Sequence, residues 1–168
     1  TNLLTFSIGV FPHVAEVEPN GRAEEAQTLT VSDGGSVTVR GVVELEDMDV
    51  FRVEGVAGQG LSVELEAMRL GGRLDAAVSL VDAAGFVLRS CDDVAFARQD
   101  PAFSVELPAD RPYFIRVRQA AYRGDKDDHY LLHVGAFPRP LSLLPMGGAA
   151  GEPLDVELLG EAGSLGSG

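Results

Sequence analysis

The stretch LDAAVSLVDAAGFVLRSCDD, which runs from Leu74 to Asp93, decides the fold class of this chain. Its first apolar run, Val78–Val81, has the period of two that an extended strand shows, and a second apolar run restarts at Phe86–Leu88. Between the two runs, Asp82–Gly85 provides a short loop that ends in glycine. Two apolar strands joined in this way are typical of a β-hairpin.

Short carboxylates mark the ends of the predicted hairpin. Asp75 precedes the first strand, Asp82 opens the turn, and Asp92 and Asp93 follow the second strand. Such side chains accept hydrogen bonds from nearby backbone N–H groups. We therefore interpret them as caps of turns and strand ends.

The composition indicates a folded and acidic chain. Its 168 residues suffice for one domain with pieces of its neighbours, and 45% of them are hydrophobic. Thirteen basic residues against 26 acidic ones give a formal net charge of −13. Because phosphate recognition needs clustered Lys and Arg, this charge disfavours nucleic acid but permits divalent cations and basic partners. No apolar run approaches the roughly 20 residues that span a bilayer, so we expect no membrane insertion.

Seven further stretches show strand patterning, without any long helical pattern between them. They are Leu29–Val31, Ser36–Val43, Val50–Val56, Leu61–Met68, Phe103–Leu107, Tyr113–Val117 and Tyr130–Val134. With the hairpin, these short strands predict an all-β fold, an antiparallel jelly-roll β-sandwich of about 8–10 strands. The apolar phase of the strands predicts a core that comprises Val39, Phe51, Val53, Val63, Leu65, Val78, Leu80, Val105, Ile115, Val117, Leu132 and Val134.

The proline-containing residues Phe137–Pro140 interrupt the strand pattern, as a domain boundary does. The outer segments carry strand patterns of their own at Leu3–Val10 and Leu154–Leu159. Because the chain begins with Thr and ends in GSLGSG, we interpret it as a segment of a longer protein. The expected units are a terminal strand and linker of a preceding module (1–13), the sandwich (14–137), and a linker with the start of a following module (138–168).

The predicted linker carries oxygen-bearing side chains at alternate positions. Glu16, Glu18 and Asn20 would lie on one side of an extended segment, and Pro19 disfavours a helix there. Three such side chains form half of a site for a hard cation, or simply the polar face of a linker. The residues alone leave both interpretations open.

An ordered series of short motifs extends over most of the chain. The motifs are Glu16–Asn20 (EVEPN), Gly41, Asp47–Phe51 (DMDVF), Leu74–Asp75, Asp82–Gly85, Asp92–Asp93, Tyr113–Val117 (YFIRV) and Tyr130–Val134 (YLLHV). In this order they resemble the bacterial pre-peptidase C-terminal domain, whose relatives include the collagen-binding domains of clostridial collagenases. The resemblance covers about Val14 to Phe137.

The resemblance implies a jelly-roll sandwich of secreted proteins that is often attached to peptidases and is not itself catalytic. It also implies calcium, because the collagen-binding members hold this ion with carboxylates of the N-terminal linker and of an acidic loop. Carried over by position, the implied ligands are Glu16, Glu18, Asn20, Asp47 and Asp49. The flanking segments Thr5–Gly9 and Pro145–Gly160 resemble the last and first strands of immunoglobulin-like modules.

Catalysis has no support in the motifs. His129 and His133 have the i, i+4 spacing of a zinc-binding helix, but on a strand they are roughly 13 Å apart, so we expect solvent-facing positions. No Gly-x-Ser-x-Gly motif occurs. Asp47 and Asp49 could form an acid–base pair, but ligands or solvated charges are the preferred interpretation. We therefore expect no enzyme.

Carbohydrate binding is the alternative function, because the same architecture serves sugars. Sugar platforms rely on exposed aromatic rings, especially Trp, and the chain has no Trp. Tyr113 and Tyr130 fall in the apolar phase of their strands, which leaves Tyr122 and Phe96 as loop aromatics.

The sequence therefore predicts a non-catalytic accessory module of a secreted, cell-surface or periplasmic multidomain bacterial protein. Its expected partners are an extracellular protein or polysaccharide and the neighbouring domains of its own chain. Calcium is the expected cofactor.

Overall fold

The structure, a computed structural model, describes residues 6–31, 34–95 and 97–161. Its strands are β1 (His13–Ala15), β2 (Gln27–Thr28), β3 (Ser36–Val42), β4 (Met48–Gly55), β5 (Gly60–Glu66), β6 (Ala76–Asp82), β7 (Val87–Cys91), β8 (Ala102–Glu106), β9 (Arg111–Gln119), β10 (His129–Gly135), β11 (Pro140–Leu144) and β12 (Glu157–Gly160). A 3-10 helix covers Met68–Leu70. Within these residues no helix is long and apolar enough to cross a membrane.

Two five-stranded sheets contain ten of these strands. The first sheet has the order β1-β3-β10-β5-β8, and the second has the order β2-β4-β9-β6-β7. From β3 to β10 the chain alternates between the sheets, except for the β6–β7 hairpin, which lies within the second sheet. Strands β10 and β9 are inserted between strands from the first half of the chain, in the order of a jelly roll. The predicted jelly-roll sandwich is confirmed.

The sheets are mixed rather than purely antiparallel. The linker strand β1 pairs in parallel with β3, and β2 pairs in parallel with β4. These pairs are parallel because β1, β2, β3 and β4 lie in alternate sheets, so a long connection separates each strand from its partner. The predicted strand Leu29–Val31 is not formed, and only the N–H of Leu29 continues the β2 pairing, to Arg52 O at 2.8 Å.

The core lies between the two sheets and follows the predicted phase. Of the twelve residues predicted to form it, eleven are buried, whereas Val105 is partly buried and packs against them. The core also contains residues outside the predicted set, and Leu74, Phe103, Leu107 and Tyr113 are among the largest of them.

The hairpin of β6 and β7 forms around the carboxylate of Asp82. Its Oδ1 atom accepts hydrogen bonds from the N–H groups of Ala84 and Phe86, both at 2.9 Å. Gly85 adopts φ = 84°, a left-handed conformation that costs glycine little. The aspartate therefore caps the turn, as the sequence predicts.

The outer segments differ from their predicted strands. Residues 6–10 of the predicted strand Leu3–Val10 form no strand, and residues 3–5 lie outside the described residues, as does Phe96. The predicted strand Leu154–Leu159 is observed as β12, which pairs with β11 in a separate two-stranded sheet. Glu161 ties this ribbon to the sandwich, since it accepts hydrogen bonds from the Ser104 N–H at 2.8 Å and from Arg139 at 3.1 Å.

Replacing Val117 with aspartate tests the phase of the core. Val117 is fully buried in the middle of β9, where a carboxylate would have no partner. We expect Val117→Asp to lower the free energy of unfolding by more than about 3 kcal/mol in chemical denaturation. Val87→Asp is the matched control, because Val87 is 59% exposed on the edge strand β7. Equal stability of the two variants would contradict the assigned phase.

Trimming the chain to residues 14–137 tests the domain boundaries. The shortened chain keeps β2 to β10 but loses β11, β12 and the segment before β1. We expect cooperative thermal unfolding by circular dichroism, and loss of any self-association that the exposed β11–β12 ribbon causes in size-exclusion chromatography. An unfolded product would show that the outer segments belong to the domain.

Candidate metal centre

The linker strand β1 brings Glu16 to one end of the sandwich. The Glu16 N–H donates to Arg40 O at 2.9 Å, which continues the parallel pairing with β3. Its carboxylate turns toward the sheets, and Oε1 accepts a hydrogen bond from the Val42 N–H at 2.8 Å. Both the backbone and the side chain of Glu16 thus join the linker to β3.

A single tyrosine hydroxyl connects Glu16 with the opposite sheet. Tyr130, on β10, has its hydroxyl 3.1 Å from Glu16 Oε2 and 2.5 Å from Asp49 Oδ2 on β4. Gly41 permits this approach, because a Cβ at that position would collide with the Tyr130 ring and with Glu16 Oε2. A phenol donates one hydrogen, so it cannot satisfy both carboxylates at once when both are charged.

Glu18 and Asn20 follow on the same segment. Glu18 Oε2 accepts a hydrogen bond from the Asn20 N–H at 2.8 Å, and Asn20 O accepts one from the Val50 N–H at 3.0 Å. These bonds hold Asn20 beside β4, next to Asp49. The Asn20 residue is fully buried.

Three of the five residues implied by the resemblance form one group. Ligand oxygens of Glu16, Glu18 and Asp49 all lie within 4.8 Å of one another. Asp47 lies apart from this group, since its carboxylate accepts hydrogen bonds from the N–H groups of Met48 at 2.8 Å and Glu44 at 3.4 Å. It lines a neighbouring acidic cavity of about 470 Å³, together with Glu16, Glu18, Glu44 and Glu46.

Burial makes the charges of this group costly. Desolvation, reinforced by the charges of Glu16, Asp47 and Glu18, raises the pKa of Asp49 from its ordinary 3.8 to about 8. Burial also raises the pKa of Glu16, although hydrogen bonds from Val42 and Tyr130 oppose this effect. The pKa of Tyr130 rises well above its usual range because it is buried beside both carboxylates.

Several buried polar atoms here have no hydrogen-bond partner within the described ranges. They are Asp49 Oδ1 and both side-chain amide atoms of Asn20. Unpaired buried polar atoms are rare in folded proteins, and a bound ion or an ordered water is one way in which such atoms are satisfied. Carboxylate and amide oxygens are the ligands that calcium prefers, at about 2.3–2.6 Å. The donor set therefore fits a hard cation.

His133 lies between Thr38 and Glu66 in an arrangement that resembles a catalytic triad. His133 Nδ1 lies 2.8 Å from Thr38 Oγ1, and His133 Nε2 lies 3.5 Å from Glu66 Oε2. Thr38, however, is fully buried, so a substrate cannot reach its hydroxyl. The geometry supports a structural role.

The predicted solvent-facing position is correct for His129 and wrong for His133. Only 12% of the His133 side chain is exposed, because the segment before β1 covers this part of the sheet. The Phe11 ring contacts His133 edge-on at 6.0 Å and lies 5.3 Å from Phe137.

Sequence reasoning assigned Tyr130 to the core and did not give its hydroxyl a role. It also did not include Glu44 and Glu46, although the run from Glu44 to Asp47 is visibly acidic. Tyr130 is indeed buried, and its hydroxyl is the part that reaches the carboxylates.

Comparison with known proteins gives structural neighbours only. No family model and no curated protein matches the sequence. Among solved structures, the chain is similar to PliG of Aeromonas hydrophila, a periplasmic lysozyme inhibitor of g-type lysozyme, with a TM-score of 0.50 and 18% identity over 75% of this chain and 98% of that one. This likeness shows the fold alone.

Two further neighbours have lower scores. The pre-peptidase C-terminal domain of a Bacillus anthracis collagenase has a TM-score of 0.47 and 11% identity, over 69% of this chain and 98% of that one. PliG of Salmonella Typhimurium has a TM-score of 0.45 and 16% identity, over 66% of this chain and 96% of that one. The family that the motifs resemble is thus represented among the structural neighbours.

The raised pKa of Asp49 predicts how stability depends on pH when calcium is removed by a chelator. The folded state holds the Asp49 proton more tightly than the unfolded state, so this stabilisation is complete below pH 3.8 and is lost as the pH rises through about 8. Asp49→Asn cannot ionise and still accepts the Tyr130 hydrogen bond. In chelator at pH 8 we expect this variant to melt several degrees above the wild type.

Asp92→Asn is the matched control for this experiment, because the exposed Asp92 carboxylate also accepts a backbone hydrogen bond, from the Asp93 N–H at 3.0 Å, and does not contribute to the pKa of Asp49. We expect it to leave the pH dependence of the melting temperature unchanged. If the melting temperature of the wild type in chelator stays constant between pH 4 and pH 8, the raised pKa of Asp49 is refuted.

Proposed function

We propose that this chain is a non-catalytic β-sandwich accessory module that binds one calcium ion where its linker joins the sandwich. The observation that carries the proposal has two parts. Glu16 and Asp49 share the single Tyr130 hydroxyl, and beside them the buried oxygens Asp49 Oδ1 and Asn20 Oδ1 have no hydrogen-bond partner among the described residues. A divalent cation would offset both the repulsion between the carboxylates and their desolvation.

Calcium at this position would act on the linker. Glu16 and Glu18 belong to the segment that joins β1 to β2, whereas Asp49 belongs to the second sheet. An ion held by both would fasten the segment before the sandwich to the end of the sandwich. The orientation of whatever precedes the module would then depend on calcium.

The structural neighbours support a binding role over a catalytic one. The Aeromonas neighbour is a periplasmic inhibitor of g-type lysozyme, so its target is another protein. We propose by analogy that this module works outside the cytoplasm, at the cell surface, in the periplasm or after secretion. Its partner would be an extracellular protein.

The distribution of aromatic rings favours a protein partner over a carbohydrate. Tyr122 is 56% exposed, but the Arg118 guanidinium lies over its ring at 4.5 Å from the centroid. Phe86 is exposed at the tip of the β6–β7 hairpin, near the start of β9, whereas Tyr122 follows the end of β9, at the opposite end of the sheet. A sugar platform needs several accessible rings on one surface.

Terbium luminescence tests the ion site directly, because Tb³⁺ takes the same oxygen ligands as calcium and is excited by a nearby tyrosine. The chain has three tyrosines and no tryptophan, so the donor can be identified. We expect sensitised emission that calcium displaces and that Tyr130→Phe abolishes. Tyr122→Phe is the matched control and should keep the emission.

Thermal melts give the second readout. An ion that binds only the folded state raises its stability by mass action. We expect millimolar calcium to raise the melting temperature by several degrees over chelator in the wild type, and by much less in Asp49→Asn. Identical wild-type melts, together with no calorimetric heat of calcium binding, would refute the proposed site.

A further inference from the structure

The outer face of the first sheet is divided into two halves. Strand register places Ala15, Arg40, Leu131 and Glu66 in one row across β1, β3, β10 and β5. The neighbouring row consists of His13, Thr38, His133 and Glu64. Both rows point away from the core, because Val39 and Leu132, between them on their strands, are fully buried.

The chain covers the second row with its own extended segment. Residues Ser7 to Phe11 pass over Glu64, Glu66 and His133, with a cavity of about 200 Å³ beneath them. Because of this cover, Thr38 is fully buried although its strand position faces outward. This half of the face therefore already holds a peptide segment.

The rest of the first row, Ala15, Arg40 and Leu131, remains uncovered and forms the floor of a groove of about 610 Å³, which Glu66 also lines. Glu16 of the linker, next to Ala15, forms one wall of the groove. Leu70, the last residue of the 3-10 helix, forms the other wall together with Gly71. Leu131 is partly buried at the centre of the floor. The groove lies beside the covered half of the same sheet face and is open to solvent.

The charges in the groove favour a basic occupant. Three carboxylates, those of Glu16, Glu66 and Asp127, line it together with Arg40, and the Glu66 carboxylate also lies 3.5 Å from Arg69. The chain as a whole carries a formal net charge of −13. A lysine or arginine side chain could lay its aliphatic stem on Leu131 and place its charged end among these carboxylates.

We propose that this groove binds an extended segment of a partner protein in which basic residues alternate with aliphatic ones. The inference rests on the proposed role as a binding module and names the surface and the chemistry of its partner. The cover over the neighbouring row supplies the geometric precedent, and the excess of carboxylates supplies the charge complementarity. Aliphatic side chains would pack on Leu131 and Leu70.

The test is a titration of the full chain, saturated with calcium, with the blocked peptide acetyl-Lys-Val-Lys-Val-Lys-Val-amide at physiological salt. We expect amide chemical shifts to move at Ala15, Leu70 and Leu131, with no comparable change on the second sheet. The peptide with Glu in place of Lys is the control and should leave these shifts unchanged.

Two pairs of variants locate the binding. Arg40→Glu removes the groove's arginine and should tighten peptide binding severalfold, whereas Arg116→Glu, on the outer face of the second sheet, should not. Leu131→Lys should weaken binding about tenfold, whereas Leu143→Lys on the β11–β12 ribbon should not. Melting temperatures confirm that each variant is folded.

The outcomes separate this inference from the proposed function. If Arg40→Glu and Leu131→Lys leave peptide binding unchanged, the peptide groove is overturned. The same holds if the groove residues shift with a soluble oligosaccharide or on self-association, and not with the peptide. Either result leaves the calcium-dependent module intact. Loss of calcium stabilisation overturns the proposed function, while the titration repeated in chelator still reports on the groove.

Discussion

The sharing of one phenol hydrogen between two carboxylates is the constraint on which the linker end of this structure depends. Tyr130 reaches Glu16 on the linker and Asp49 on the opposite sheet, so three elements meet at one hydroxyl. Gly41 leaves the space for this meeting. Because burial opposes ionisation of both carboxylates, the contact is stable only with a proton or a cation among them. Backbone pairing with β3 holds β1 itself, whereas the linker residues after β1 depend on how that charge is balanced.

Most of the fold could be predicted from the sequence because its strands are half buried and keep a period of two. The turn at Asp82 was predictable for the same local reason, since a short carboxylate before glycine accepts the N–H groups of its own turn. The short strands β1 and β2 could not be predicted, because two or three residues carry no periodicity. Their parallel pairing is set by which sheet each long connection reaches, and that is a tertiary property.

The candidate site was predictable only in part. Alternation places Glu16 and Glu18 on one side of the linker, and the resemblance adds Asp49. The role of Tyr130 was not predictable, because a tyrosine in the apolar phase of a strand indicates the core. Its hydroxyl meets Asp49 across 81 residues of chain, and no local pattern encodes that contact. His133 was misjudged for a related reason, because an outward strand position becomes buried when a distant segment lies over it.

Glu16 also joins the two proposals physically. Its carboxylate belongs to the metal-binding group, and the same residue lines one wall of the groove on the outer face. An ion that fixes this side chain also fixes that wall, and a segment bound in the groove would in turn restrict Glu16.

Coupling between two binding sites is reciprocal, so each ligand must change the affinity of the other by the same factor. A bound cation would neutralise part of the acidic surface, which weakens the attraction for a basic segment. It would also order the wall of the groove, which favours binding, and the balance of these two effects sets the sign of the coupling. Glu66 and Asp127, which lie outside the metal-binding group, would keep their charges, so the ordering of the linker is the larger effect. Calcium should therefore strengthen, rather than weaken, the binding of a basic segment.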